Sequence, residues 1–200
     1  MGNSFCSTKR NYKTNNNDEI SLQSQQQYIT TIHDGAILNT SCTYNEINNS
    51  IYIGTCSDDK RIAILKKDNE TNKYKLDYYL LGHEKAVNKI AMNNNILWSG
   101  SRDLSLRQWN ITNKDENKCI QIIPNAHELT IAAVATSKDN KTTYSGSRDY
   151  TVKVWDCEKG LCKEEYKVPR NIVTSLEIGN DDHLLYQGAE DLCVRVWDTR

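Results

Sequence analysis

His83, Ser99 and Asp103 are the three residue types of a nucleophilic triad, in which a carboxylate orients an imidazole that takes a proton from a hydroxyl. His127, Ser145 and Asp149 follow in the same order, and six residues after each aspartate stands a tryptophan, Trp109 or Trp155. A catalytic set need occur only once, beside donors for an oxyanion, so its duplication argues for packing. Imidazole, hydroxyl, carboxylate and indole N–H can satisfy one another's donors and acceptors, and a buried orphan among them would cost about 1–3 kcal/mol. Each set therefore reads as a hydrogen-bonded chain running from a loop, through a bend, to an indole.

The segments carrying these residues are copies of one another. Trp-Ser-Gly-Ser-Arg-Asp at 98–103 returns as Tyr-Ser-Gly-Ser-Arg-Asp at 144–149, with fainter copies at 54–59 and 187–191. The equivalent aspartates are Asp59, Asp103, Asp149 and Asp191, at steps of 44, 46 and 42 residues, a period that belongs to propeller blades. Within the second copy, Val87–Met92, Ile96–Gly100, Ser105–Trp109 and Cys119–Ile123 read as short strands between polar turns, and no segment sustains a helical apolar period. The fold expected is all-β, with almost no helix.

Gly82–His83, Ala126–His127, Trp155–Asp156 and Trp197–Asp198 complete a resemblance to the WD40 family that covers roughly residues 28–200. The resemblance implies a β-propeller of four antiparallel blades over about 28–73, 74–118, 119–161 and 162–200, with the two four-residue sets as structural tetrads. Because the third strand of the fourth copy runs directly to Arg200, the expected form is an incomplete, open propeller belonging to a longer protein of about seven blades. The outer copies depart from the pattern. The first keeps His33, Thr55 and Asp59 but has Leu65 for the tryptophan; the fourth has Asp191 and Trp197 but Pro169 and Gln187 at the His and Ser slots. These two blades are expected to be looser, the fourth loop being held by something else.

Val-Pro-Arg-Asn-Ile-Val-Thr-Ser-Leu at 168–176 is similar to the matching blade of the WD repeat-containing protein 31 subfamily. That likeness implies a non-catalytic adaptor associated with cilia and with delivery of proteins to the ciliary membrane. In the WD40 family the residue before each turn aspartate faces the top rim, which here gives Asp58, Arg102, Arg148 and Glu190. Arg102 and Arg148 on neighbouring blades could grip an acidic or phosphorylated peptide. Asp191, Arg195, Trp197, Asp198 and Arg200 resemble the WD-x-Arg box of cullin-4 substrate receptors, Arg200 being the informative position.

The amino terminus offers chemistry beyond the repeats. Met1-Gly2-Asn3-Ser4-Phe5-Cys6-Ser7 resembles an N-myristoylation signal at Gly2, although the pattern asks for Ser or Thr where Cys6 stands. One acyl chain gives marginal membrane residence; palmitate on Cys6, with Lys9, Arg10 and Lys13 facing anionic lipid, would supply the second signal. Residues 1–27 are polar, carry Asn and Gln runs and read as a disordered arm.

Charged residues make up 26% of the chain at a net charge of −1, which gives no electrostatic case for nucleic acid. The seven cysteines, Cys6, Cys42, Cys56, Cys119, Cys157, Cys162 and Cys193, form no Cys-x-x-Cys pair and no zinc spacing, so reduced thiols are expected. No cofactor, metal or small-molecule substrate is indicated. The chemistry points to a non-catalytic scaffold that meets other proteins at its rim, in the cytoplasm or peripherally at a membrane.

Overall fold

A computed structural model describes residues 31–45, 49–68, 73–112, 119–167 and 171–200. Gly2, Cys6 and Pro169 lie outside the described residues, as does the rest of the arm. The described residues form strands and turns without helix. The first sheet holds β1 (Ile37–Asn45), β2 (Ser50–Ser57), β3 (Ile62–Lys67) and β4 (Tyr74–Leu80). The second holds β5 (Val87–Asn93), β6 (Ile96–Ser101), β7 (Leu106–Asn110) and β8 (Cys119–Ile123). The third holds β9 (Ile131–Thr136), β10 (Thr142–Ser147), β11 (Thr151–Asp156) and β12 (Leu161–Lys167). The fourth comprises β13 (Val173–Ile178), β14 (Leu184–Ala189) and β15 (Val194–Asp198).

Every sheet is an antiparallel meander in chain order, and none pairs with another. The sheets are blades of an unclosed propeller, with the first strands β1, β5, β9 and β13 as successive neighbours along the inside. Sheets and sequence repeats are offset by one strand. Boundaries drawn at 74 and 119 separate three strands from the fourth that completes their sheet, namely β4 and β8, and the boundary at 162 falls one residue inside β12.

Blades join through apolar side chains. The first clusters Tyr52, Cys56, Ile62 and Ile64 with Val87, Ile90 and Leu97 of the second. Trp98 and Leu106 of the second meet Ile131 and Val134 of the third. Tyr144, Val152 and Val154 of the third meet Val173 and Leu176 of the fourth. These faces give each blade a core it could not build alone, as stacked repeats require. Hydrogen bonds between side chain and backbone tie the lower edges: Asn93 Nδ2 donates to the Ser137 carbonyl at 3.1 Å, and the Lys138 backbone N–H donates to Asp182 Oδ2 at 3.1 Å.

Candidate functional site

Asp103 is held at the mouth of the β6–β7 turn by its own backbone chemistry. Its N–H donates to Ser101 Oγ at 3.0 Å, and its Oδ1 accepts from the Ser105 N–H at 2.9 Å and from the Ser105 hydroxyl at 2.6 Å. The next residue, Leu104, closes the turn at a φ of 71°, and Lys60, Tyr150 and Leu192 occupy the left-handed region at the same place in the other blades. The turn thus aims Asp103 Oδ2 back at the loop before β5, where it accepts from the Glu84 N–H at 2.9 Å and from His83 Nδ1 at 2.8 Å.

A carboxylate at Nδ1 fixes the neutral imidazole with its proton there, leaving Nε2 to accept from the Ser99 hydroxyl at 2.7 Å. Ser99 Oγ in turn accepts the Trp109 indole N–H at 2.8 Å. The order Asp–His–Ser is that of a hydrolytic triad, but Ser99 is fully buried and the indole occupies the side from which an electrophile would approach. The same chain runs Asp149–His127–Ser145–Trp155 at 2.9, 2.6 and 2.7 Å. Burial acts to raise the pKa of Asp103, but hydrogen bonds from His83 and Ser105 outweigh it and hold the carboxyl far below the usual range. Asp149 is depressed in the same way by His127 and Thr151. Burial lowers the pKa of His83 despite its bond to Asp103, which favours the neutral ring.

The outer blades are mended with other residues. In the first, His33 reaches Asp59 and Thr55 at 2.9 Å each, while Leu65 is buried and offers no indole. Arg61 completes that turn, its Nε donating to Asp59 Oδ2 at 3.1 Å and its guanidinium lying 4.9 Å from the Tyr79 ring centre. In the fourth, Trp197 donates to Gln187 Oε1 at 2.8 Å, so the indole link absent from a Ser-only reading is present through a longer side chain. Asn171 Nδ2 donates to Asp191 Oδ2 at 2.8 Å, and Arg195 pairs with the same carboxylate. Ala189 and Cys193 replace the two hydroxyl residues that brace Asp103, so the fourth turn has fewer ties.

Above the tetrads lies the rim. A β-bulge at the start of each first strand turns its second residue, Leu38, Asn88, Ala132 or Thr174, out of the ladder. Asn88, Ala132 and Thr174 line one groove of about 510 Å³ together with Thr130, Ile172 and three of the four rim residues, Arg102, Arg148 and Glu190. Asp58 stands beside it, 3.4 Å from Arg102 Nη1. Asn88 Oδ1 accepts from Arg102 Nε at 3.2 Å and orients that guanidinium. Arg148 and Glu190 are exposed, and neither forms a side-chain ion pair among the described residues. The bulge residues carry no mark in the sequence, because a bulge is a property of the strand pair. Arg200 lies apart from the groove, its Nε donating to Asp198 Oδ1 at 2.9 Å.

The described cysteines are free thiols, and burial pushes Cys56 up to about 12 and Cys157 up to about 11. Both are therefore protonated and inert at neutral pH.

A protein-family model described as "WD domain, G-beta repeat" matches residues 117–156 and 160–198. The chain is similar to Cell division control protein 4 of Candida albicans, 29% identical over 62% of this chain and 18% of that protein. It is similar to Small ribosomal subunit protein RACK1 of Schizosaccharomyces pombe, 35% identical over 44% of this chain and 29% of that protein. U3 small nucleolar RNA-associated protein 13 of Saccharomyces cerevisiae is 31% identical over 55% of this chain and 15% of that protein. The chain thus spans less than a third of the length of each of these relatives.

Proposed function

This chain belongs to the WD40-repeat family, whose members are in general non-catalytic protein-interaction scaffolds, and we propose that its rim groove grips an acidic or phosphorylated segment of a partner protein. The observation that carries this reading is the convergence of Arg102 and Arg148, from neighbouring blades, on one groove. Thr130, Thr174 and Asn88 add hydroxyl and amide donors between the guanidinium groups. Glu190 at the far wall sets polarity, so that the acidic part of the segment lies toward Arg102 and Arg148. Expressed in cells, the wild type captures partners that an Arg102→Glu, Arg148→Glu double variant loses, and an unchanged set of partners would refute the assignment.

The proposal extends to where the scaffold works. Myristate on Gly2 with palmitate on Cys6 would place it peripherally at a membrane, and the loop at 168–176 supports a ciliary membrane in particular. Gly2→Ala and Cys6→Ser then shift the protein from the membrane pellet to the supernatant, with loss of the acyl mass from the N-terminal peptide. A second reading, a substrate receptor of a cullin-4 ubiquitin ligase, rests on Arg200, whose side chain is 68% exposed beside Asp198. It requires co-purification with the ligase adaptor, abolished by Arg200→Ala.

A further inference from the structure

One backbone contact, repeated from blade to blade, sets the rim residues in place. The N–H groups of Asp58, Arg102 and Arg148 donate to the carbonyls of Ala36, Ala86 and Thr130 at 3.0, 2.9 and 3.1 Å, each acceptor being the residue before a first strand. Arg102 and Arg148 therefore start from equivalent backbone positions, but their guanidinium groups are held differently. Arg102 Nε donates to Asn88 Oδ1 at 3.2 Å, and its Nη1 lies 3.4 Å from Asp58 Oδ1. Asn88 is itself fixed, since its Nδ2 donates to the Ile131 carbonyl at 3.0 Å.

Arg148 has neither support. The bulge residue of its own blade is Ala132, whose methyl accepts nothing, and the rim residue of the preceding blade is Arg102, which carries the same charge. A guanidinium forks onto an oxyanion along one of two edges, Nε with Nη2 or Nη1 with Nη2. On Arg102 each edge has lost a member to the protein, Nε to Asn88 and Nη1 to Asp58, so that Nη2 alone is left to donate to a ligand. Arg148 keeps both edges.

We infer, resting on the groove as the recognition site proposed above, that it selects a phosphate monoester over a carboxylate: Arg148 forks onto two terminal oxygens and the clamped Arg102 donates to the third. A side-chain carboxylate has two oxygens, both taken in one plane by the Arg148 fork, whereas the third oxygen of a phosphate stands out of that plane and meets the single donor from the neighbouring blade. Charge alone selects little here, because Asp58 and Glu190 offset Arg102 and Arg148 along the rim. Arg102 is then the residue that tells phosphate from carboxylate, and Asn88 and Asp58 are positioning residues that act through it.

Fluorescence anisotropy on the full chain, with two labelled degenerate peptide pools that carry phosphoserine or glutamate at one fixed position, tests this. Wild-type protein is expected to bind the phosphoserine pool at least about tenfold more tightly than the glutamate pool. Arg102→Ala, at an exposed position, weakens phosphoserine binding by about tenfold and glutamate binding by less than about twofold, while Arg148→Ala weakens both by about tenfold or more. Asn88→Ala keeps the Arg102 charge and removes its clamp, and lowers the ratio between the pools by about threefold with circular dichroism unchanged. Equal losses for both pools in Arg102→Ala, or a ratio untouched by Asn88→Ala, overturn the inference and leave the groove as a site for acidic segments in general. A wild type that binds neither pool removes the groove itself, and this selectivity with it.

Discussion

Trp197 donates its indole N–H to Gln187 at 2.8 Å, the bond that Trp109 makes to Ser99 and Trp155 to Ser145. A longer acceptor thus replaces a hydroxyl that in the inner blades also serves a histidine. Gln187 is fully buried, so Gln187→Ala orphans the indole and leaves a void, at an expected cost of about 2–4 kcal/mol. Urea unfolding followed by tryptophan fluorescence measures it.

Ser99 serves two partners, Trp109 and His83, whereas Thr55 serves only His33 because Leu65 has no donor. Ser99→Ala should cost about 2–3 kcal/mol and Thr55→Val about 1 kcal/mol. Equal losses in urea melts would mean that the indole bond contributes nothing.

Acid should unfold the protein in two stages. The folded pKa of His83 lies below its unfolded value of about 6.5, so its contribution is complete above that pH and declines as pH falls through it. Asp103 and Asp149 have folded values below the unfolded value of about 3.9, so theirs is complete above about pH 4 and lost below it. Urea midpoints should be flat above pH 7, fall gently to pH 4 and steeply beneath; a midpoint that rises on acidification would contradict the tetrad electrostatics.

Leu192 is 98% exposed at a φ of 65°, a conformation that costs a residue with a Cβ about 1 kcal/mol and a glycine almost nothing. Leu192→Gly is expected to leave stability unchanged or raise it by up to about 1 kcal/mol, the gain being offset by the freer unfolded glycine. A thermal melt decides this, and a clear loss would show that the leucine has a partner in solution.

Spacing made the blades legible because four aspartates in register imply four copies of one turn, and strand lengths followed from the polar gaps between apolar runs. The inner tetrads were legible for the same reason, since matching residue types recur at matching offsets. The substitutes in the fourth blade were not. Asn171 stands two residues past the expected histidine slot, and Gln187 differs from serine in length, so neither matches by type and position together.

The rim groove is the centre of the functional account, and fluorescence anisotropy with a labelled, degenerate phosphoserine peptide pool tests it most directly. Wild-type protein should bind with a Kd in the range of about 1–100 μM, weakening with added salt, and the unphosphorylated pool should bind far less. Arg148→Glu should weaken binding by at least about tenfold while urea stability stays unchanged. Equal binding of both pools, or binding indifferent to Arg148→Glu, would contradict the account and remove the groove as the site of recognition.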